Sequence, residues 1–164
     1  MTFRLREYDP ADFELLYEID QACFPPGISY SRRELAYYMN MRGTFTIVAE
    51  RKLKKHEIAG FIVGQKGPRG MGHIVTIDTL EKYRRGGLGT LLMDAVEKRL
   101  KAVGCHAIIL ETAVDNAPAI AFYKRLGYFI LKTLPRYYQG RIDAFLMAKR
   151  IAEKSDITVT KLTM

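Results

Sequence analysis

The stretch EKYRRGGLGTLLMDAVEKRL, from Glu81 to Leu100, decides how this chain is read. Arg84 and Arg85 stand against Gly86, Gly87 and Gly89, and a helical run of apolar residues starts at once with Leu88, Leu91, Leu92, Ala95 and Val103. Amide N–H groups at a helix start have no partner inside the helix, and the helix dipole adds positive potential there. Glycines let an anion come close to that backbone, and the two arginines add full charge. The turn therefore reads as a grip for a phosphate or pyrophosphate. The plainer alternative is a strand-to-helix turn in which glycine only permits positive φ.

Working outward, the elements alternate. FRLRE near the N-terminus has the look of a short strand, and Asp9 caps a helix with Pro10 at its first position. CFPPGISY is a loop, because two prolines and a glycine forbid regular structure. Ser31 and Glu34 form a capping box that opens a second helix, through about Met41. TFTIVAE and IAGFIVGQK are strands joined by the charged connection RKLKKHE, and HIVTIDTL is a third strand, set off by GPRGMG. After the glycine turn and its helix, ended by Gly104, comes the strand HAIILETA. A helix follows, capped by Asp115 or Asn116, with Pro118 in its first turn and Gly127 at its end. YFILKT and DAFLMAKR are the last strands, around a polar loop LPRYYQGRI. The order β, α, α, β, β, β, α, β, α, β, β predicts an α/β or α+β fold: residues 1–150 as one domain, 151–164 as a loose tail or an extra strand.

Composition sets bounds. The chain has 164 residues, 48% of them hydrophobic, enough for a packed core. The net charge of +8 favours anionic partners, yet the basic residues are scattered and not gathered in a tail. Two cysteines, Cys23 and Cys105, form no disulfide or zinc pattern, so no metal is expected. Cys105 beside His106 could suggest an acyl-enzyme, but neighbours on a strand point to opposite faces. The charged first residues carry no apolar run and no segment is apolar enough to span a membrane, so the expected setting is cytoplasmic.

Among phosphate-binding turns, GLGT lacks the lysine of a P-loop. A dinucleotide fingerprint belongs after the first strand of a βαβ unit, whereas several strands and two helices precede this turn. Tyr83-Arg84-Arg85-Gly86-Gly87-Leu88-Gly89-Thr90 instead resembles the acetyl-CoA pyrophosphate loop of the GNAT superfamily of N-acetyltransferases. The run from Asn116 through Tyr123 to Gly127 and Tyr128 resembles that family's second motif, with the strand IILETA between the two. The resemblance covers about positions 3 to 149 and implies a GNAT-like bent mixed sheet of about seven strands flanked by about four helices.

Arg136-Tyr137-Tyr138 followed by Asp143, Ala144 and Met147 resembles a segment of protein N-terminal acetyltransferases, ribosomal-protein-alanine acetyltransferases among them, and Phe24 to Tyr30 is similar to their substrate loop. The resemblance implies an acetyl-CoA cosubstrate held by Ile77, Asp78, Thr79, Arg84 to Thr90, Asn116 and Tyr123. Asp78 is an oddity among these, placed to face the opposite side of its strand. The resemblance further implies a peptide α-amine placed by Phe24, Pro25, Ile28, Tyr30, Tyr137 and Tyr138, with Tyr123 as the acid for the departing thiolate. Glu111, twelve residues before Tyr123, is the leading base, with His73 the second candidate. At pH 7 a peptide α-amine is about 14% neutral and a lysine amine about 0.04%, so an N-terminal substrate needs only modest base help.

The expected partner is a protein or peptide N-terminus, a ribosomal protein among the candidates, with nucleic acid near only through the ribosome. A monomer or homodimer is expected. A small-amine or lysine acetyltransferase, and a non-catalytic CoA-sensing or ribosome-binding module, are the alternatives.

Overall fold

The computed structural model describes residues 2–51 and 57–153. Most of the expected RKLKKHE connection and residues 154–164 of the expected tail lie outside the described residues. The order of elements is the expected one: β1 (Phe3–Glu7), α1 (Phe13–Cys23), α2 (Arg32–Met39), β2 (Thr44–Arg51), β3 (Ile58–Lys66), β4 (Met71–Thr79), α3 (Leu88–Ala102), β5 (Ala107–Ala113), α4 (Ala117–Arg125), β6 (Phe129–Tyr138) and β7 (Ile142–Arg150). The strands form one seven-stranded mixed sheet in the order β1-β2-β3-β4-β5-β7-β6. The described residues divide into two compact units, 2–51 and 57–65 with 74–98, and 66–73 with 99–153.

In the first unit, β1 pairs antiparallel with β2, and β2 with β3. β3 is a near-continuous apolar run and is buried from Ile58 to Gly64, as a central strand must be. Its Phe61 and Val63 pack with Leu16 and Ile19 of α1 and Val48 of β2. Glu50 of β2 is buried, and a buried carboxylate requires partners. Arg4 and Arg6 of β1 both bond it, and Arg6 also bonds Asp12 at 2.8 and 2.9 Å. The Arg4 bond, buttressed by that of Arg6, holds the Glu50 carboxyl below the usual range.

Pro10 does not begin α1. Pro10–Asp12 is a separate 3-10 turn with its own capping box, and α1 starts at Phe13. The Ser31–Glu34 capping box is present, with Glu34 N–H donating to Ser31 Oγ at 3.0 Å and Ser31 N–H to Glu34 Oε1 at 3.1 Å. On α3 the buried side chains are Leu88, Leu92, Met93, Val96 and Leu100, whereas the expected Leu91 and Val103 are exposed. Spacings of four hold one face of a helix, and Val103 lies past the last turn.

In the second unit, β4 pairs parallel with β5 from Met71↔Ala107 to His73↔Ile109. β5 pairs antiparallel with β7 along its whole length, and β7 with β6. Gly104 and Gly127 take positive φ beyond the ends of α3 and α4, as expected of helix-ending glycines. The expected loop LPRYYQGRI is mostly strand, since β6 continues to Tyr138. Pro135 fits there because β6 is the last strand in the order and its register shifts between Leu134 and Tyr138, so no ladder N–H is missed. Cys105 and His106 precede β5 and are not strand neighbours; Cys105 is buried and burial pushes its thiol up, which leaves it inert.

Candidate functional site

In the first unit, the turn after β4 is a 3-10 step, Glu81–Tyr83, followed by Arg84 to Gly87. Arg85 and Gly87 both have positive φ, at 67° and 82°. Alternation of that kind turns successive amides toward one side, as in anion-binding nests. Leu91 N–H donates to Gly87 carbonyl at 3.0 Å, so the amides of Leu88, Gly89 and Thr90 lie ahead of the ladder of α3. No acidic residue stands in that first turn. A Cβ on Gly87 would meet nothing within 4 Å, so the face of the turn is open. The turn expected to hold a phosphate, Arg84 to Thr90, thus presents free amides on an open face.

β4 alternates strictly: Val75, Ile77 and Thr79 are half-buried, while Ile74, Thr76 and Asp78 are buried. Asp78 thus belongs to the opposite face, and its side chain corrects the cofactor assignment. Its Oδ1 accepts from Thr76 Oγ1 at 2.6 Å, and its carboxyl neighbours Asp20. The Thr79 carbonyl is engaged inside the chain, by Arg84 Nε at 3.0 Å and Cys23 Sγ at 3.3 Å. Burial pushes the Cys23 thiol up to about 11, so it is no nucleophile.

The Phe24–Tyr30 loop belongs to the same unit. The Pro25 carbonyl accepts from Ile28 and Ser29 N–H, both at 3.1 Å, folding Pro25 to Ser29 into a turn. The Tyr30 hydroxyl donates to the Val75 carbonyl at 3.4 Å and its ring packs on Tyr38, with centroids 5.1 Å apart.

In the second unit, the two candidate bases, 38 residues apart in sequence, meet: His73 Nε2 and Glu111 Oε2 are 2.7 Å apart. The register explains the meeting. His73 pairs with Ile109, and Glu111 is two residues on, on the same face. Their side chains are 28% and 16% exposed, so both reach solvent. Tyr138 is close by: burial pushes its phenol well up, and Tyr137, the Glu111 carboxylate and Tyr123 push it further. Tyr137 packs edge-on against Tyr138 at 5.0 Å. Tyr123 on α4 is buried and packs against Tyr128 at 6.0 Å. His73 and Glu111 thus touch, and Tyr138 lies within electrostatic reach of both Glu111 and Tyr123. Asn116 caps α4, its Oδ1 accepting from Ala119 N–H at 3.3 Å.

Two residues that matter here were not singled out as functional in the sequence. Asp143 accepts from Arg136 N–H at 2.8 Å and so holds Arg136 at φ 51°, fixing the bulge that presents Tyr137 and Tyr138. Asp20 is the other. Its signal was its place on the buried face of α1, in step with Leu16 and Ile19. Among the described residues no cluster could hold a metal ion, and no helix is long and apolar enough to cross a membrane.

Residues 13–128 match the model of the acetyltransferase (GNAT) family. An N-alpha-acetyltransferase of Sulfurisphaera tokodaii is 47% identical over a stretch that takes in 47% of this chain and 47% of that protein, so the match spans about half the relative's length. An uncharacterized N-acetyltransferase of Methanocaldococcus jannaschii is 31% identical over 89% of this chain and 90% of its own. Among solved structures, Ard1 from Thermoplasma volcanium superposes with a TM-score of 0.83 at 29% identity, over 93% of this chain and all of that one. A ribosomal-protein-alanine N-acetyltransferase of Escherichia coli gives a TM-score of 0.78 at 25% identity, over 93% of this chain and 96% of that one. With the family model spanning residues 13–128, most of its length, this chain belongs to the GNAT acetyltransferases.

Proposed function

We propose that this protein transfers an acetyl group from acetyl-CoA to the α-amine of a protein or peptide N-terminus. The observation that carries the reading is the His73–Glu111 pair at 2.7 Å, with Tyr138 within electrostatic reach of Glu111 and Tyr123. The names of its relatives support it, since several are N-alpha-acetyltransferases. Residues Arg84 to Thr90 hold the pyrophosphate, with Ile77, Thr79 and Asn116 along the rest of the molecule. Bound acetyl-CoA supplies the acetyl group as a thioester. The loop around Phe24, Pro25, Ile28 and Tyr30 receives the first residue of the peptide; Tyr137 and Tyr138 contact the peptide backbone.

The chain's own residues then handle protons. With Nε2–H of His73 donating to Glu111, Nδ1 carries the lone pair that accepts the amine's proton, directly or through a water. Glu111 stabilises the imidazolium that results. As the C–N bond forms and the C–S bond breaks, Tyr123 donates a proton to the sulfur. Tyr138, whose phenol stays protonated, donates a hydrogen bond to the peptide backbone. A peptide α-amine, with its pKa of about 7.8, needs no stronger base than this pair.

A cytoplasmic setting goes with this reading, and ribosomal-protein N-termini are among the proposed targets. The test is a peptide-library assay with the product mapped by mass spectrometry. Acetyl on the α-amine is expected; acetyl on internal lysines or free polyamines would replace the substrate and keep the chemistry. No substrate-dependent release of thiol would leave only a CoA-binding module.

A further inference from the structure

Asp20 and Asp78 are both 1% exposed, and the main chemistry uses neither. Each is satisfied on one oxygen. Asp20 Oδ2 accepts from Tyr30 N–H at 2.8 Å, and Asp78 Oδ1 accepts from Thr76 Oγ1 at 2.6 Å. The other two oxygens, Asp20 Oδ1 and Asp78 Oδ2, are buried without a donor among the described residues. The two carboxyls are nonetheless neighbours, each acting on the other's protonation. Ionised carboxylates only accept, so two of them side by side would leave both oxygens orphaned and repelling. One proton between them satisfies both at once. The same logic governs paired carboxylates that cannot both ionise.

Asp20 also holds both ends of one loop. Its backbone carbonyl accepts from Phe24 N–H at 3.2 Å, and its carboxylate accepts from Tyr30 N–H. Residues 24 to 30 are therefore closed on a single residue, and that residue is fixed to β4 through Asp78. We propose that Asp20 and Asp78 share one proton, and that this pair is the positioning element of the Phe24–Tyr30 loop and so of the peptide's first residue. The proposal rests on the reading above that this loop receives the substrate.

The surroundings agree. Facing the pair are Cys23 from α1, Glu34 from α2, Thr76 from β4 and Arg84 from the turn. Burial raises both carboxyls above the ordinary range; the Asp20 charge raises Asp78 further against Thr76 and Arg84, while Asp78 and Tyr30 N–H pull Asp20 back and Glu34 adds to its rise. The sign follows. The pair's contribution is complete below the ordinary carboxylate value of about 3.9 and is lost as pH rises through the raised value of the pair. Rising pH therefore loosens the loop.

Two measurements test this. Infrared difference spectra at neutral pH should show the C=O stretch of a protonated, buried carboxyl in the wild type, absent in both Asp78→Asn and Asp20→Asn. Steady-state kinetics should show that Asp78→Ala raises KM for peptide by about tenfold, from the orphaned carboxylate it leaves, while KM for acetyl-CoA stays put. Asp78→Asn, whose amide can donate to Asp20 and accept from Thr76, should restore the peptide KM and hold it flat with pH. If Asp78→Ala does not fold, the Asn variants carry both tests.

A protonated-carboxyl band that survives both Asn variants overturns the shared proton. The band present, but Asp78→Ala raising both KM values alike, overturns the positioning role. The infrared result does not involve substrate, so it stands or falls apart from the proposed activity.

Discussion

Two pairs of titratable side chains in this molecule look alike in outline and differ in exposure. His73 and Glu111 are 28% and 16% exposed; Asp20 and Asp78 are each 1% exposed. A pair that exchanges a proton with substrate in every turnover must be reachable and must change its charge readily. A pair that only holds a backbone must do neither, and burial makes its protonation state stiff because the ionised alternative is so unfavourable. Access, more than residue type, is what separates the proposed chemistry from the proposed positioning.

The strongest way to break that contrast is to disable the exposed pair. His73→Ala or Glu111→Gln should each lower kcat for peptide by about 10³-fold, within the range for a general acid–base group. Because the two touch, the double variant should be hardly worse than either single one. Additive losses would mean two independent residues and no pair. Next in size, Tyr123→Phe should lower kcat by about 10²-fold with acetyl-CoA affinity nearly unchanged, since only the departing sulfur's proton is lost. Stopped-flow single turnovers would separate that chemical step from product release. Gly87→Val should weaken acetyl-CoA binding by about 30-fold in calorimetry, since a β-branched residue at φ 82° is strained and its side chain stands in the open face of the turn. Normal affinity would remove the turn from the site.

The ease of reading these parts from sequence follows their locality. The glycine turn, the Ser31–Glu34 box and the apolar run of β3 are each written within a few residues, so the pattern alone carries them. His73 and Glu111 were both legible as candidates, yet they stood as rivals. Only the β4–β5 register, which no local pattern encodes, makes them one device. Asp78 looked out of place because its partner lies on α1. A buried acid on an apolar helix face, as Asp20 is, is a signal that can be read, but its meaning depends on a contact across the fold. The length of β6 is hidden in the sequence because Pro135 and the polar residues after it resemble a loop until the strand is known to be last in the order.

Asp143 extends the contrast to a third carboxylate, this one half-buried. It positions by a single bond to Arg136 N–H, without a partner acid. Asp143→Ala should release Arg136 from its left-handed conformation and let Tyr137 and Tyr138 drift. A lost bond to a charged group of about 1.5–3 kcal/mol, partly recovered by water at a half-exposed place, gives a rise in peptide KM of about fivefold. Asp143→Asn should keep most of the effect of the wild-type residue, because its amide oxygen can still accept. Equal losses in both variants would show that charge, and not the hydrogen bond, is what Asp143 supplies.

The smallest effect concerns Arg85, and it separates charge from strain in the turn. Arg85 has φ 67°, where a side chain costs about 1–2 kcal/mol relative to glycine. Arg85→Gly removes that strain and with it one cation, while the greater freedom of glycine in the unfolded chain takes back part of the gain. Thermal stability should therefore stay level or rise slightly. Acetyl-CoA affinity should fall by only about threefold, since an exposed charge is worth about 0.2–1 kcal/mol and is screened by salt. The decisive measurement is affinity against ionic strength. The wild type should lose affinity more steeply with added salt than Arg85→Gly, and the two should converge near 1 M salt, where charges further apart than about 3 Å no longer feel each other. If the curves stay parallel, Arg85 contributes nothing to anion binding and its strained conformation serves only the path of the chain into α3.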